Sequence, residues 1–326
     1  MKTLKISFDN YMPCDKIETE PFYHILKQYY NLEIYDQVNE NLDLIICSPI
    51  ENYKSVYNIA DYFGIVKTLC INFENTYPDF NAYDYTTSYY EMLPERNLRL
   101  PMYWYYDYKI RHGLIYGDIE PFKNEPNFSN EVFYQKENRL GFVSSNAFRD
   151  RLDILYDLVD NFDCKLGGSF LGIENVGPNY IDKINFLSSC KFTLVFENSN
   201  NDGYVSEKIY DAYLANTIPI YFGSKEVCKD FNPESYIHVL DYPNIEDLFQ
   251  YIRYLMNNEE AYMKVLNTKR ILNNIDYDKL VTDFMINIIE NGKIYNHLFG
   301  HIMWSGYGKI LEEKISQEVY LRYRRF

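Results

Sequence analysis

Apolar residues recur along the first third of the chain in short, nearly continuous runs: TLKISF at 3–8, LDLIIC at 42–47 and TLCINF at 68–73. Between the first two, the stretch 21–35 sets Phe22, Ile25, Leu26 and Tyr29 on one helical face. Unbroken apolar strands alternating with helices predict a parallel sheet buried on both faces. The pattern lapses at 119–138, which is polar, carries Pro121 and Pro126, and predicts an interdomain connection. It then resumes, with strands expected at 140–143, 192–196 and 218–222 and helices at 150–159 and 207–214. A further amphipathic helix carries Ile245, Leu248, Phe249, Ile252, Leu255 and Met256, with Asn244 as its N-cap.

The expectation is an α/β protein of two Rossmann-like domains, 1–125 and 139–300, facing across a cleft at the carboxyl ends of their strands. A C-terminal helical segment, 301–326, places Ile310, Leu311, Ile315, Val319 and Leu321 along one face. It is expected to pack back on the body, with peripheral membrane contact as the alternative. The length of 326 residues agrees with two domains at roughly 150 residues each.

Composition narrows the function classes. The 32 Lys and Arg against 47 Asp and Glu give a formal net charge of −15, which repels nucleic acid and anionic membranes. The 35 Tyr suit half-wet clefts, including ones that stack on sugars, but a biased composition accounts for them equally well. Cys14, Cys47, Cys70, Cys164, Cys190 and Cys228 form no C-x-x-C pair, so reduced thiols are expected. The N-terminus lacks the apolar core of a signal peptide, and no run approaches the roughly 18 apolar residues of a membrane span. A cytoplasmic protein, at most peripherally membrane-associated, is the expectation.

The densest candidate for chemistry is FENSNNDGYVSEKIYDAYLANTIPIYFGS at 196–224, where a strand ends in a polar turn and a helix opens with Ser206, Glu207 and Lys208. Free N–H groups and Lys208 could dock a diphosphate there, and Gly203 would let the backbone come close. A plain capping turn, with Glu207 complementing the helix dipole, fits the same residues. Other patterns carry less. Asp276-Tyr277-Asp278 matches D-x-D but precedes helical text and reads as a capping pair. His297 and His301 lack the Glu of H-E-x-x-H, no G-x-G-x-x-G follows a strand, and no metal site is assigned. The sequon at Asn127 carries no meaning without a secretory signal.

The 196–224 stretch closely resembles the donor-binding signature of the α-1,3/4-fucosyltransferases, glycosyltransferase family 10. INFENTYPDFNAYDYTTSYY at 71–90 with LRLPMYWYY at 98–106 resembles the family's acceptor-domain segment. GFVSSNAFRDRLDILYDL at 141–158 resembles the opening of its donor domain. The resemblance implies the GT-B fold and inverting transfer of L-fucose from GDP-fucose to N-acetylglucosamine of a lactosamine-type glycan, with no metal or other cofactor.

It further implies that Glu74 is the general base, that Arg151 (or its neighbour Arg149) grips the diphosphate, and that Lys208 neutralises the departing GDP. Tyr204 and Glu207 would contact fucose or ribose, Asn198 would line the pocket, and the turn Gly167-Gly168-Ser169 would lie near the nucleotide. Another GDP-sugar, acceptor or linkage, or a silent glycan-binding relative, stays open. The segment before residue 70 shows little of the family pattern, so the acceptor is the least defined partner.

Overall fold

The computed structural model describes residues 1–9, 11, 16–49, 64–80, 82–115, 119–145, 152–199, 201–272 and 275–295. The expected C-terminal helical segment, 301–326, lies outside them. The chain divides into two compact units, residues 1–100 with the helix that starts at Tyr277, and residues 101–276.

The first unit is built on a six-stranded sheet: β1 (Thr3–Asp9), β2 (Asn31–Ile34), β3 (Leu44–Cys47), β4 (Lys67–Ile71), β5 (Tyr85–Ser88) and β6 (Asn97–Arg99). Its order is β2-β1-β3-β4-β5-β6 and every pairing is parallel. β3 is buried at all four positions, as the uninterrupted apolar run requires. Helix α1 (Pro21–Leu26) ends after six residues. The helix expected over 21–35 therefore gives way to a tight turn and to β2, and Tyr29 is 47 % exposed rather than on an apolar face. An edge strand needs one ladder only, so the polar text NLEI pairs with β1 without being buried.

The polar strand β5, YTTS, escaped the hydrophobic pattern although all four residues are buried. Asn97 makes that burial tolerable: its Oδ1 accepts from Thr86 Oγ1 (2.7 Å) and Ser88 Oγ (3.0 Å), and its Nδ2 donates to Tyr90 O (2.7 Å).

The second unit carries β7 (Glu137–Val143), β8 (Cys164–Gly167), β9 (Cys190–Phe196), β10 (Ile218–Phe222) and β11 (Ile237–His238). Their order is β11-β10-β9-β7-β8, again parallel throughout. All positions of β9 and β10 are buried. At roughly 1.5–3 kcal/mol for each large apolar side chain, these strands anchor the unit. Its helices are α2 (Met102–Arg111), α3 (Glu131–Gln135), α4 (Leu152–Asn161), α5 (Tyr180–Ser188), α6 (Lys208–Leu214), α7 (Ile245–Asn257) and α8 (Glu259–Leu266). Asn244 caps α7 as expected, its Oδ1 accepting from Asp247 N at 2.9 Å.

The unit boundaries differ from the sequence division. The segment 101–125 groups with the second unit: Asp107 Oδ1 accepts from Tyr210 OH (3.0 Å), and Asn124 O accepts from Arg270 N (2.9 Å). The expected connection at 119–138 is thus part of that unit, with Phe133 in its core. Conversely, α9 (Tyr277–Asn291) joins the first unit. Lys67 Nζ donates to the carbonyls of Ile288 and Ile289 at 2.8 Å, satisfying the free C-terminal carbonyls of α9 with a cation. Asp276 directly precedes α9 and Asp278 lies in its first turn, while Tyr277 OH accepts from Arg99 Nη1 at 3.1 Å.

A buried cation gives the second unit a pH signature. Lys191, 2 % exposed on β9, donates to Met256 O at 3.2 Å and lies 3.2 Å from the Phe133 ring centroid. Burial pushes its ammonium down to about 8 from 10.5. Between those values the unfolded chain holds the proton and the folded chain does not, so this group's contribution to stability rises with pH across the window and falls as pH drops to about 8. Lys191→Met is expected to flatten that part of the melting-temperature profile. An identical slope in parent and variant would rule the titration out.

Among the described residues, no helix is long and apolar enough to cross a membrane.

Candidate active site

In the first unit, β4 runs into the loop that carries Glu74. Asn72, 2 % exposed, organises it: Nδ2 donates to Thr76 O (3.0 Å) and Oγ1 (3.2 Å), while Oδ1 accepts from Glu74 N (2.9 Å). Tyr89 OH donates to Phe73 O at 3.1 Å, and Tyr90 OH donates to Asn75 Oδ1 at 3.2 Å. The loop is pinned on both flanks, and Glu74 is exposed beyond the carboxyl end of an interior strand. Ligands approach parallel sheets at that end.

In the second unit, β9 leads directly into Glu197, which is fully buried. Its Oε1 accepts from Ser206 N (2.8 Å), and its Oε2 accepts from Ser206 Oγ (2.6 Å) and from Lys208 Nζ (3.5 Å). Lys208 also donates to Ser206 Oγ at 3.2 Å. Gly203 takes φ +85°, a conformation that L side chains resist, and its N–H donates to Ser224 Oγ at 3.2 Å. This bend returns the chain from β9 to α6. Tyr204 is 4 % exposed, and Asn198 is exposed on the turn.

A second ion pair lies beside the first. Asp211 on α6, 1 % exposed, accepts from Lys183 Nζ of α5 at 2.5 Å and from Tyr180 OH. Lys183, Lys208 and Asp211 line one pocket with Phe142, Thr193 and Phe196, at the carboxyl ends of β7 and β9.

The electrostatics follow from depth. Burial raises the Glu197 carboxyl, with the Glu207 charge adding to it, and the Lys208 charge and Ser206 hydrogen bonds oppose the shift. Burial likewise raises Asp211, against the Lys183 charge. Burial would lower Lys183, but the Asp211, Glu207 and Glu197 charges outweigh it and its pKa is raised. Glu207, half-buried, is held below its ordinary value, because the Lys208 and Lys183 charges outweigh its desolvation. The two carboxylates are 0–1 % exposed, while the lysine side chains are 21 % and 25 % exposed. The lysines thus form the more accessible rim of the cluster and the carboxylates its floor.

Of the expected donor residues, Glu207 and Lys208 meet in this network, Glu207 as the residue before α6 and Lys208 as its first residue. Tyr204 and Asn198 stand in the turn that leads to it. Arg151 and Arg149 lie outside the described residues. Glu74 belongs to the first unit, apart from the other candidates in the chain's division. The stretch Gly167-Gly168-Ser169 begins at the last residue of β8. Gly168 has φ +90°, and a Cβ there would stand 2.1 Å from Ser144 O, so β7 and β8 end in close backbone contact.

Sequence reasoning missed Glu197, Lys183, Asp211 and Tyr180. The Glu of FEN at 196–198 and the Asp three residues after Lys208 were legible, whereas α5 carries no comparable signal. Among the described residues, no group of three His, Cys, Asp or Glu side chains is placed to hold a metal ion.

Comparison with known proteins adds an independent line. The model for "Glycosyltransferase family 10 (fucosyltransferase) C-term" matches residues 134–288. The alpha-(1,3)-fucosyltransferase FucT of Helicobacter pylori is 32 % identical over 329 residues, covering 90 % of this chain and 67 % of that protein. The 4-galactosyl-N-acetylglucosaminide 3-alpha-L-fucosyltransferase 9 of Bos taurus is 30 % identical over 169 residues, which is 50 % of this chain and 44 % of that one. The crystal structure of an alpha1,3-fucosyltransferase superposes with a TM-score of 0.75 at 28 % identity, covering 90 % of this chain and 92 % of the other. One such enzyme with GDP-fucose gives a TM-score of 0.71 at 28 % identity, over 90 % and 93 % of the two chains.

Proposed function

For this chain, which belongs to glycosyltransferase family 10, the fucosyltransferases, and has their GT-B fold, we propose inverting transfer of L-fucose from GDP-fucose to N-acetylglucosamine of a lactosamine-type glycan, in α-1,3 linkage. The observation that carries the donor half is the cationic rim of Lys183 and Lys208 above buried Glu197 and Asp211.

In the proposed reaction the acceptor hydroxyl gives its proton to the Glu74 carboxylate as its oxygen bonds to the anomeric carbon. The bond from that carbon to the diphosphate breaks on the opposite side, and GDP leaves with the electron pair. Lys208 and Lys183 neutralise the charge that develops on the diphosphate, with Arg151 as a further contact. Positioned cations at a developing charge cost no reorganisation during the reaction. Glu207, held ionised, opposes positive charge at the oxocarbenium-like centre, while Tyr204 and Asn198 line the pocket. Metal independence is part of the proposal. The setting proposed is cytoplasmic, with at most peripheral membrane contact.

The test is GDP release from GDP-fucose with and without N-acetyllactosamine, in EDTA, with product linkage read by NMR. Acceptor-dependent release with an α-1,3-fucosylated N-acetylglucosamine is expected. Donor binding without lactosamine product would move the acceptor to another glycan, and failure to bind GDP-fucose would overturn the donor site.

A further inference from the structure

Three residues beyond Glu74, the same loop carries Tyr77, whose side chain is left 66 % exposed. Beneath it lies Tyr90, 9 % exposed, with ring centroids 4.2 Å apart and planes 29° from parallel. Tyr90 is fixed in turn. Its OH donates to Asn75 Oδ1 (3.2 Å), its N–H donates to Ser88 Oγ (3.2 Å), and its carbonyl accepts from Asn97 Nδ2 (2.7 Å).

Tyr77 therefore has one face seated on an immobile ring and the other turned to solvent. Isolated exposed aromatics are ordinary. This one differs by its rigid backing and by standing directly after the pinned stretch Asn72 to Thr76 that holds the proposed base. An open π face carries negative charge density, and one face of a pyranose presents C–H bonds of opposite polarity, so the two stack while the sugar's hydroxyls stay hydrated at the rim. Neither Tyr77 nor Tyr90 brings a charge, which suits a neutral sugar.

We infer that Tyr77 is the platform for the acceptor, stacking one hexopyranose of a lactosamine-type glycan and so presenting a hydroxyl to Glu74. The inference deepens the functional reading above and rests on its glycan acceptor.

The experiment compares the parent with Tyr77→Ala, Tyr77→Phe and Tyr77→Trp, each loaded with GDP, by saturation-transfer NMR titration of N-acetyllactosamine, a readout that needs no turnover. Tyr77→Ala is expected to weaken lactosamine binding roughly 5- to 10-fold, the size of an aromatic stacking contribution, with GDP affinity unchanged. Tyr77→Phe and Tyr77→Trp are expected to restore it. Equal lactosamine binding in parent and Tyr77→Ala overturns the platform, as does a loss that Phe and Trp fail to rescue or that GDP binding shares. Turnover of GDP-fucose by the parent is read separately: its absence counts against the reaction, while the binding comparison still decides the role of Tyr77.

Discussion

Glu74→Gln is expected to cut fucosyl transfer at least about a hundredfold while leaving GDP binding unchanged, because a positioned general base contributes roughly 10²–10⁴ in rate. Glutamine keeps the size of the side chain and removes its negative charge and with it the capacity to take a proton. Glu74 is exposed on a loop pinned by Asn72 and Tyr89. The backbone bonds that hold the loop, Glu74 N to Asn72 Oδ1 and Thr76 N to Glu74 O, involve no carboxylate and persist in the variant. The measurement is kcat with saturating GDP-fucose and acceptor, beside calorimetric titration with GDP. Equal losses in rate and in GDP affinity would remove Glu74 from the role of base.

The second large effect is expected at Lys208. A hydrogen bond to a charged group is worth about 1.5–3 kcal/mol, so Lys208→Ala should weaken GDP binding by roughly one to two orders of magnitude. The loss has two sources. The diphosphate loses a cation that is 21 % exposed, and Glu197 beneath it loses the charge that opposes its burial. Glu197→Gln separates them. Glutamine can still accept from Ser206 N, and Ser206 Oγ can rotate to accept from its amide, but Lys208 loses its anionic partner. That variant should bind GDP several-fold more weakly than the parent and more tightly than Lys208→Ala, following the order in which the cation is loosened and then removed. Full retention of GDP affinity in Lys208→Ala would dissolve the cationic rim as a diphosphate site.

These expectations bear on different units of the chain. Glu74 stands on the 1–100 unit, and Lys208, Glu197 and Lys183 on the 101–276 unit. The rate effect and the donor-affinity effect are thus open to independent measurement, and coupling between them can be read from the double variant.

The sequence determined the parallel α/β class, because strands covered on both faces read as near-continuous apolar runs: LIIC and IPIYF are buried throughout. It also determined the cap of α7 and the start of α6 beside Lys208, since both depend on residues within a few positions of each other. The family motif at 196–224 supplied Glu207, Lys208, Tyr204 and Asn198 for the same reason, as a contiguous strand–turn–helix whose spacing survives in the text.

Tertiary structure decided everything that depends on distant partners. β5 is legible as a strand only once Asn97, nine residues beyond Ser88, satisfies its hydroxyls. The segment Asn31–Ile34 becomes a strand because β1 offers a free edge, not because of its own polarity. Likewise, α9 leaves the unit it follows in sequence because Lys67 caps its carbonyls from β4. In the site, Lys183 comes within 2.5 Å of Asp211 across 28 residues of chain. A buried charge is stable only beside its counter-charge, and such pairing is a property of distances in space that no local pattern of residues encodes.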